Sequence, residues 1–125
     1  MQVSAHSGDV AVVTTDLLVI GVFDDAVTQN PHVKVFDRAL DGNLKTAAKD
    51  ADFKGESKQS LVLHTLGKLR AKRIALQGLG SQKTLKAAQW VEWGANATRM
   101  GNQVSARSIV LVLPQVDDVQ AVTAW

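Results

Sequence analysis

The sequence predicts a three-layer α/β domain built on a mixed or parallel sheet, and two observations carry that expectation. Extended, β-branched apolar segments alternate with stretches whose apolar residues recur at helical spacing. The segment at 16–23 is apolar at nearly every position, the pattern of a strand covered on both faces. The 125 residues read as one domain spanning 1–125, because domains run to about 100–200 residues. A chain of that size hides roughly two-thirds of its unfolded surface, so a real core is expected.

Each element has its own signal. Residues 10–13 and 16–23 are read as extended, with Asp24-Asp25 breaking the second run. Pro31 opens a short amphipathic helix in which Val33, Phe36 and Leu40 follow i, i+3, i+7 and Gly42 ends it. Residues 44–51 give another turn or two of helix with Lys45 and Lys49 on one side, and 53–58 form a charged turn. Strands at 59–65 and 73–77 are joined by the short basic connection 67–72, which places them side by side. Gly78-Leu79-Gly80 ends the second of them. Residues 83–101 form the longest helix, 108–113 a strand stopped by Pro114, and 117–125 the start of a further helix.

The long helix carries two faces of different character, one of small residues and one polar. At about 100° per residue, Ala87, Val91, Gly94, Ala95 and Thr98 share a small-residue face suited to close packing on a sheet. Trp93 and Met100 fall on the opposite stripe with Lys86, Gln89, Glu92, Asn96 and Arg99, while Trp90 and Ala97 sit at its margin. A tryptophan on the water side is expected to mark a partner surface at Trp93 and Met100. A loop folded over it is the alternative.

Composition excludes several function classes. Hydrophobic residues make up 46% and charged residues 21%, an ordinary globular balance rather than a disordered one. The absence of cysteine excludes disulfides, thiolate metal sites and a cysteine nucleophile. Fourteen Lys and Arg against 12 Asp and Glu give a net charge of +2, a small surplus despite a pI near 9.1. The first residues lack a basic start followed by an apolar stretch, and the apolar runs fall short of the ~20 residues that span a bilayer. A cytoplasmic protein without a membrane partner is expected.

Two clusters are candidates for ligand contacts. Gly78, Leu79, Gly80 and Ser81 follow a strand and precede a helix, the usual place of a phosphate-binding loop, although Lys83 stands where the dinucleotide fingerprint needs its third glycine. A tight turn that needs glycine backbone angles is the other reading. Lys68, Arg70, Lys72 and Arg73, with Lys54 and Lys58, concentrate six of the 14 basic residues and are suited to phosphates or acidic partners. No aromatic residue interleaves with them, which argues against stacking on single strands, and a solvated strand connection is the plain alternative. His6, His32 and His64 show no metal-ligand spacing, and Asp24, Asp25, Asp37, Asp41, Asp117 and Asp118 are explained by capping and solvation. No Gly-x-Ser-x-Gly elbow occurs. No catalytic residue and no metal ligand is assigned.

Five segments, in order, resemble the N-terminal domain of the leucyl (cytosol) aminopeptidases: DLLVIGVFD at 16–24, LDGNL at 40–44, DFKG at 52–55, SLVLH at 60–64 and AKRIALQGLG at 71–80. Gln77, where that family usually has an apolar residue, and the Trp-rich helix depart from the pattern. The resemblance implies a macrodomain-like fold. It also implies that peptide hydrolysis, with its two divalent metals (zinc or manganese) and an Asn-Thr-Asp-Ala-Glu-Gly-Arg type motif, belongs to a separate C-terminal domain whose motifs do not occur here. On this basis the chain is expected to be a non-catalytic accessory domain serving assembly, as a homo-oligomer, or partner contacts, foremost with that catalytic domain. The second class is a ligand-binding module, for an ADP-ribose-like nucleotide at Gly78–Ser81 or for DNA at Lys68–Arg73. Residues 121–125 end inside a predicted helix, consistent with a domain without its enzyme, cut from a longer chain or encoded alone.

Overall fold

The computed structural model describes residues 2–6, 14–24, 30–81 and 87–112. The strand expected at 10–13, the first residues of the helix expected from 83 and the helix expected at 117–125 lie outside them. Five strands, β1 (Gln2–His6), β2 (Leu17–Phe23), β3 (Ser60–His64), β4 (Arg73–Gly80) and β5 (Ser108–Val112), form one sheet in the order β1-β5-β2-β4-β3. The first four are parallel and β3 runs antiparallel to β4, so the sheet is mixed. Among the described residues three helices accompany it: α1 (Pro31–Ala39), α2 (Asn43–Asp50) and α3 (Ala87–Gln103). β1 adds an edge strand that the sequence did not announce, pairing Gln2 with Ser108 and His6 with Val112.

β2 shows why a both-faces-apolar strand belongs at the centre. Leu18, Ile20 and Val22 point into a cluster with Val33, Phe36 and Leu40 of the α1 segment and Leu44 and Ala48 of α2. Leu17, Val19 and Phe23 point the other way, among Trp90, Trp93, Ala97 and Met100 of α3. Every residue of β2 is buried, and each such aliphatic side chain contributes about 1.5–3 kcal/mol on burial. The three layers follow from this alternation.

The helix ends are set by side chains as well as by glycine. Asn30 Oδ1 accepts from the backbone N–H groups of His32 (2.8 Å) and Val33 (3.2 Å), with Pro31 in the first turn where a missing N–H costs nothing. Gly42, at φ +82°, turns α1 into α2 and donates its N–H to the Asp37 carbonyl at 2.9 Å. Asp37 is not simply solvated: its carboxylate accepts from Lys45 N–H at 2.8 Å and caps α2. Asp41 is paired with Lys68.

The packed face of α3 differs from the one expected. Trp90, Trp93, Ala97 and Met100 are buried against the sheet, whereas Val91 is 59% exposed and Ala95 faces solvent. A helical wheel groups residues by face but does not orient the helix. Two tryptophans, a residue type that buries about 150–250 Å², outweigh a stripe of Ala and Thr. Gly94 and Gly101 are buried too, beside that large-residue stripe.

At the opposite end of the strands Asp16 ties three of them together. Its Oδ2 accepts from Arg107 N–H at 2.8 Å, its Oδ1 lies 3.5 Å from Lys72 Nζ, and its own N–H donates to Ser108 Oγ at 3.0 Å. The Arg107 amide foremost, then Lys72 and Ser108, hold the Asp16 carboxyl below its ordinary value against a desolvation that pushes the other way. A depressed folded-state value stabilises the fold above the unfolded carboxylate value of about 3.9. That contribution is lost as pH falls through the folded value. Thermal melts from pH 6 to pH 2 should therefore show a steeper acid loss for the native chain than for Asp16→Asn. Parallel acid limbs would remove Asp16 from that role.

Candidate functional site

The Gly78-Leu79-Gly80 segment is the end of β4 and not a free loop. Gly78 N–H donates to the Gln59 carbonyl at 2.8 Å and Gly80 N–H to the Gly55 carbonyl at 3.0 Å, while the Gly80 carbonyl accepts from Asp24 N–H at 2.9 Å. A phosphate cradle needs amide groups that are available, and these two are engaged by the turn at 52–59. A Cβ on Gly78 would overlap the Glu56 carbonyl oxygen, and one on Gly55 (φ +79°) would stand 2.6 Å from the Phe23 carbonyl oxygen. Gln59 holds the turn closed, its Oε1 accepting from Lys54 N–H (2.9 Å) and Glu56 N–H (3.1 Å). The glycines thus serve close backbone approach. The DFKG turn and the GLG strand end are two halves of one interlock. Ser81, just beyond, is half-buried.

The basic cluster is spread over separate contacts. Lys68 pairs with Asp41, Lys72 with Asp16, and half-buried Arg73 donates to the Val104 carbonyl at 3.4 Å. Arg70 is exposed, and Lys54 lies 3.7 Å from Asp52. Thr65, buried in the same connection, donates its hydroxyl to the Ala71 carbonyl at 2.5 Å, which closes the β3–β4 link. His64 is an exposed rim residue whose Nδ1 accepts from Leu66 N–H at 3.0 Å.

Trp93 and Met100 are corrected from the expected partner surface to the core, at 2% and 8% exposure. The ring of Trp93 packs 5.5 Å from that of Trp90, tilted by 56°. Its own sheet covers it.

The feature that sequence reasoning missed lies beside α3. A crevice of about 410 Å³ opens between α3 and β3, walled by Lys58, Ser60, Glu92, Asn96 and Arg99, with Gln77 and Met100 among its lining. A narrow extension of about 20 Å³ runs on toward Gly78, Leu79 and Trp93. Gln77 is only 3% exposed, and its side-chain oxygen has no hydrogen-bond partner among the described residues. The signal was a single glutamine in an otherwise apolar strand.

No group of three or more His, Asp or Glu residues that could hold a metal occurs among the described residues. They do not fit the two-metal centre that the resemblance implies for the family, and no step through a metal is derived. Among the described residues no helix is long and apolar enough to cross a membrane.

A mixed five-stranded sheet with helices on both faces defines a three-layer α/β domain, and the candidate ligand loop is an interlocked strand end. The chain belongs to the cytosol aminopeptidase family, whose N-terminal domain matches residues 19–125. It is 26% identical over 117 residues to a probable cytosol aminopeptidase of Alkaliphilus oremlandii, covering 94% of this chain and 23% of that protein. A neutral chloroplastic leucine aminopeptidase of Solanum lycopersicum is 37% identical over 93 residues, covering 74% of this chain and 16% of that protein. A solved structure of a mutant tomato leucine aminopeptidase superimposes with a TM-score of 0.81 at 28% identity, covering 95% of this chain and 24% of that one. The chain thus spans about a quarter or less of the length of these relatives.

Proposed function

We propose that this chain acts as a non-catalytic accessory domain of a leucyl aminopeptidase, serving assembly or partner contacts. Hydrolysis of peptides, and the two divalent ions it uses, then belong to a catalytic domain outside these residues. The observation that supports this reading is the coverage. Nearly the whole chain aligns with the Alkaliphilus relative, yet it accounts for only 23% of that protein, and the matching family model is itself that of an N-terminal domain. The proposed setting is the cytoplasm, with the catalytic domain as first partner and a homo-oligomer as the assembled form.

Purified chain incubated with leucine p-nitroanilide and Mn²⁺ is expected to release no nitroaniline above the blank. Metal-dependent turnover that copurifies with the chain through successive columns would overturn the non-catalytic reading. For the assembly role, sedimentation of a full-length relative with and without the matching segment is decisive. Loss of the oligomer on deletion supports the role, and an unchanged oligomer refutes it.

A further inference from the structure

Gln77 sits at an abrupt step in the fold. It pairs with Gly21 of β2 on one side and Ser60 of β3 on the other. Its neighbours Ala75 and Leu79 face the α3 cluster, and Gln77 shares their side of the strand. α3 stops short of β3, whose residues on that side (Ser60, Val62, His64) are left exposed. The crevice occupies that step, and Gln77 lines both its main volume and its narrow extension.

A buried carbonyl oxygen without a donor is unfavourable in a way that an apolar side chain of the same size is not. With Gln77 among the lining of the crevice, an occupant that brings a hydrogen-bond donor is favoured there. The charged residues around the crevice define what that occupant carries. Glu92 and Lys58 line both parts of the crevice, and neither forms an ion pair within 4.0 Å among the described residues. Arg99 stands on the same wall, donating to Asn96. A simple anion would meet the Glu92 carboxylate, and a simple cation would meet Lys58 and Arg99. A molecule bearing one charge of each sign satisfies all of them, and about 410 Å³ falls in the range of small-molecule sites.

We propose that the crevice between α3 and β3 binds a small zwitterion, an amino carboxylate, whose ammonium is received by Gln77 Oε1 and Glu92 and whose carboxylate is received by Lys58 and Arg99. The site is independent of the assembly role. It also gives the departure at Gln77 a purpose within this chain, since the glutamine supplies the acceptor at the floor of the crevice.

The test is calorimetric titration of the chain with glycine, 4-aminobutanoate and 6-aminohexanoate, beside acetate, methylammonium and N-acetylglycine amide. The series varies the spacing of the two charges, so the best binder reports the distance that the crevice spans. At least one zwitterion should bind about tenfold or more tightly than any probe lacking one of the charges. Glu92→Gln and Lys58→Gln, both at exposed positions, should each weaken that binder about tenfold while leaving the melting temperature in place. Gln77→Leu should abolish binding without lowering the melting temperature, because it removes an unpartnered acceptor. Absence of heat from every zwitterion, equal affinity for the single-charge probes, or full binding by Glu92→Gln each overturns the proposal.

Discussion

Gly78→Ala is expected to cost about 3–5 kcal/mol of folding stability, far more than the addition of one methyl group at most strand positions. The new Cβ would overlap the Glu56 carbonyl oxygen and lie 2.7 Å from the Gly55 carbonyl carbon. Both are backbone atoms, so no side-chain rotamer can relieve the clash. The turn at 52–59 has to lift instead. Lifting it breaks the Gly78-to-Gln59 and Gly80-to-Gly55 hydrogen bonds and disturbs the seat of Gln59 Oε1 on Lys54 and Glu56. Overpacking contributes about 1–3 kcal/mol and each lost hydrogen bond about 1. Gly42→Ala provides the internal reference. Gly42 is at φ +82° with open space around its Cβ position, so it pays only the left-handed backbone cost of about 1–2 kcal/mol. Urea unfolding of the two variants compares them directly. A Gly78→Ala midpoint no lower than that of Gly42→Ala would show that the turn and the strand end are not interlocked.

What was legible in the sequence followed from how local each signal is. β2 could be read because its covering on both faces is written into consecutive residues, and α1 because Val33, Phe36 and Leu40 lie within two turns of one another. β1 could not, since its five residues acquire meaning only beside β5, more than a hundred positions later. The GLG segment looked like a loop because its true neighbours are Gly55, Glu56 and Gln59, and nothing in the local sequence says that a turn will fold over it. The basic cluster looked continuous for the same reason, its counter-charges Asp16 and Asp41 being remote in sequence. In the candidate site, Gln77 was visible as a polar residue in an apolar strand. The crevice was not, because it depends on where α3 ends its coverage relative to β3. The orientation of α3 was the sharpest divergence. Periodicity put Trp93 and Met100 on the polar side with Glu92 and Arg99, yet the two are buried and the charged residues exposed, because the choice of buried face is an area comparison between helix faces and a particular sheet surface.

That comparison has a direct consequence at Trp93. Trp93→Ala should destabilise the domain by about 3–5 kcal/mol, the range for deleting a buried aromatic side chain. A tryptophan serving an exposed partner surface would instead cost within about 0.5 kcal/mol when truncated. The sheet below it supplies a second, sharper test. A Cβ on Gly21 would stand 2.9 Å from Trp93 Cζ2 and 2.9 Å from Leu79 Cδ1, so Gly21 is the space into which the indole packs. Gly21→Ala alone should cost about 1–3 kcal/mol by forcing the ring away. Once Trp93 is alanine, two of the three nearest atoms opposing the added methyl group are gone and the third is the flexible end of Leu79, so the two costs should fall short of additivity by about 1 kcal/mol or more. Circular dichroism is the appropriate probe, because the tryptophan signal itself changes in two of the variants. Additive costs would mean that Gly21 and Trp93 do not share that space. A coupled cycle would place the indole against β2, with the large-residue stripe of α3 closing the second layer of the core.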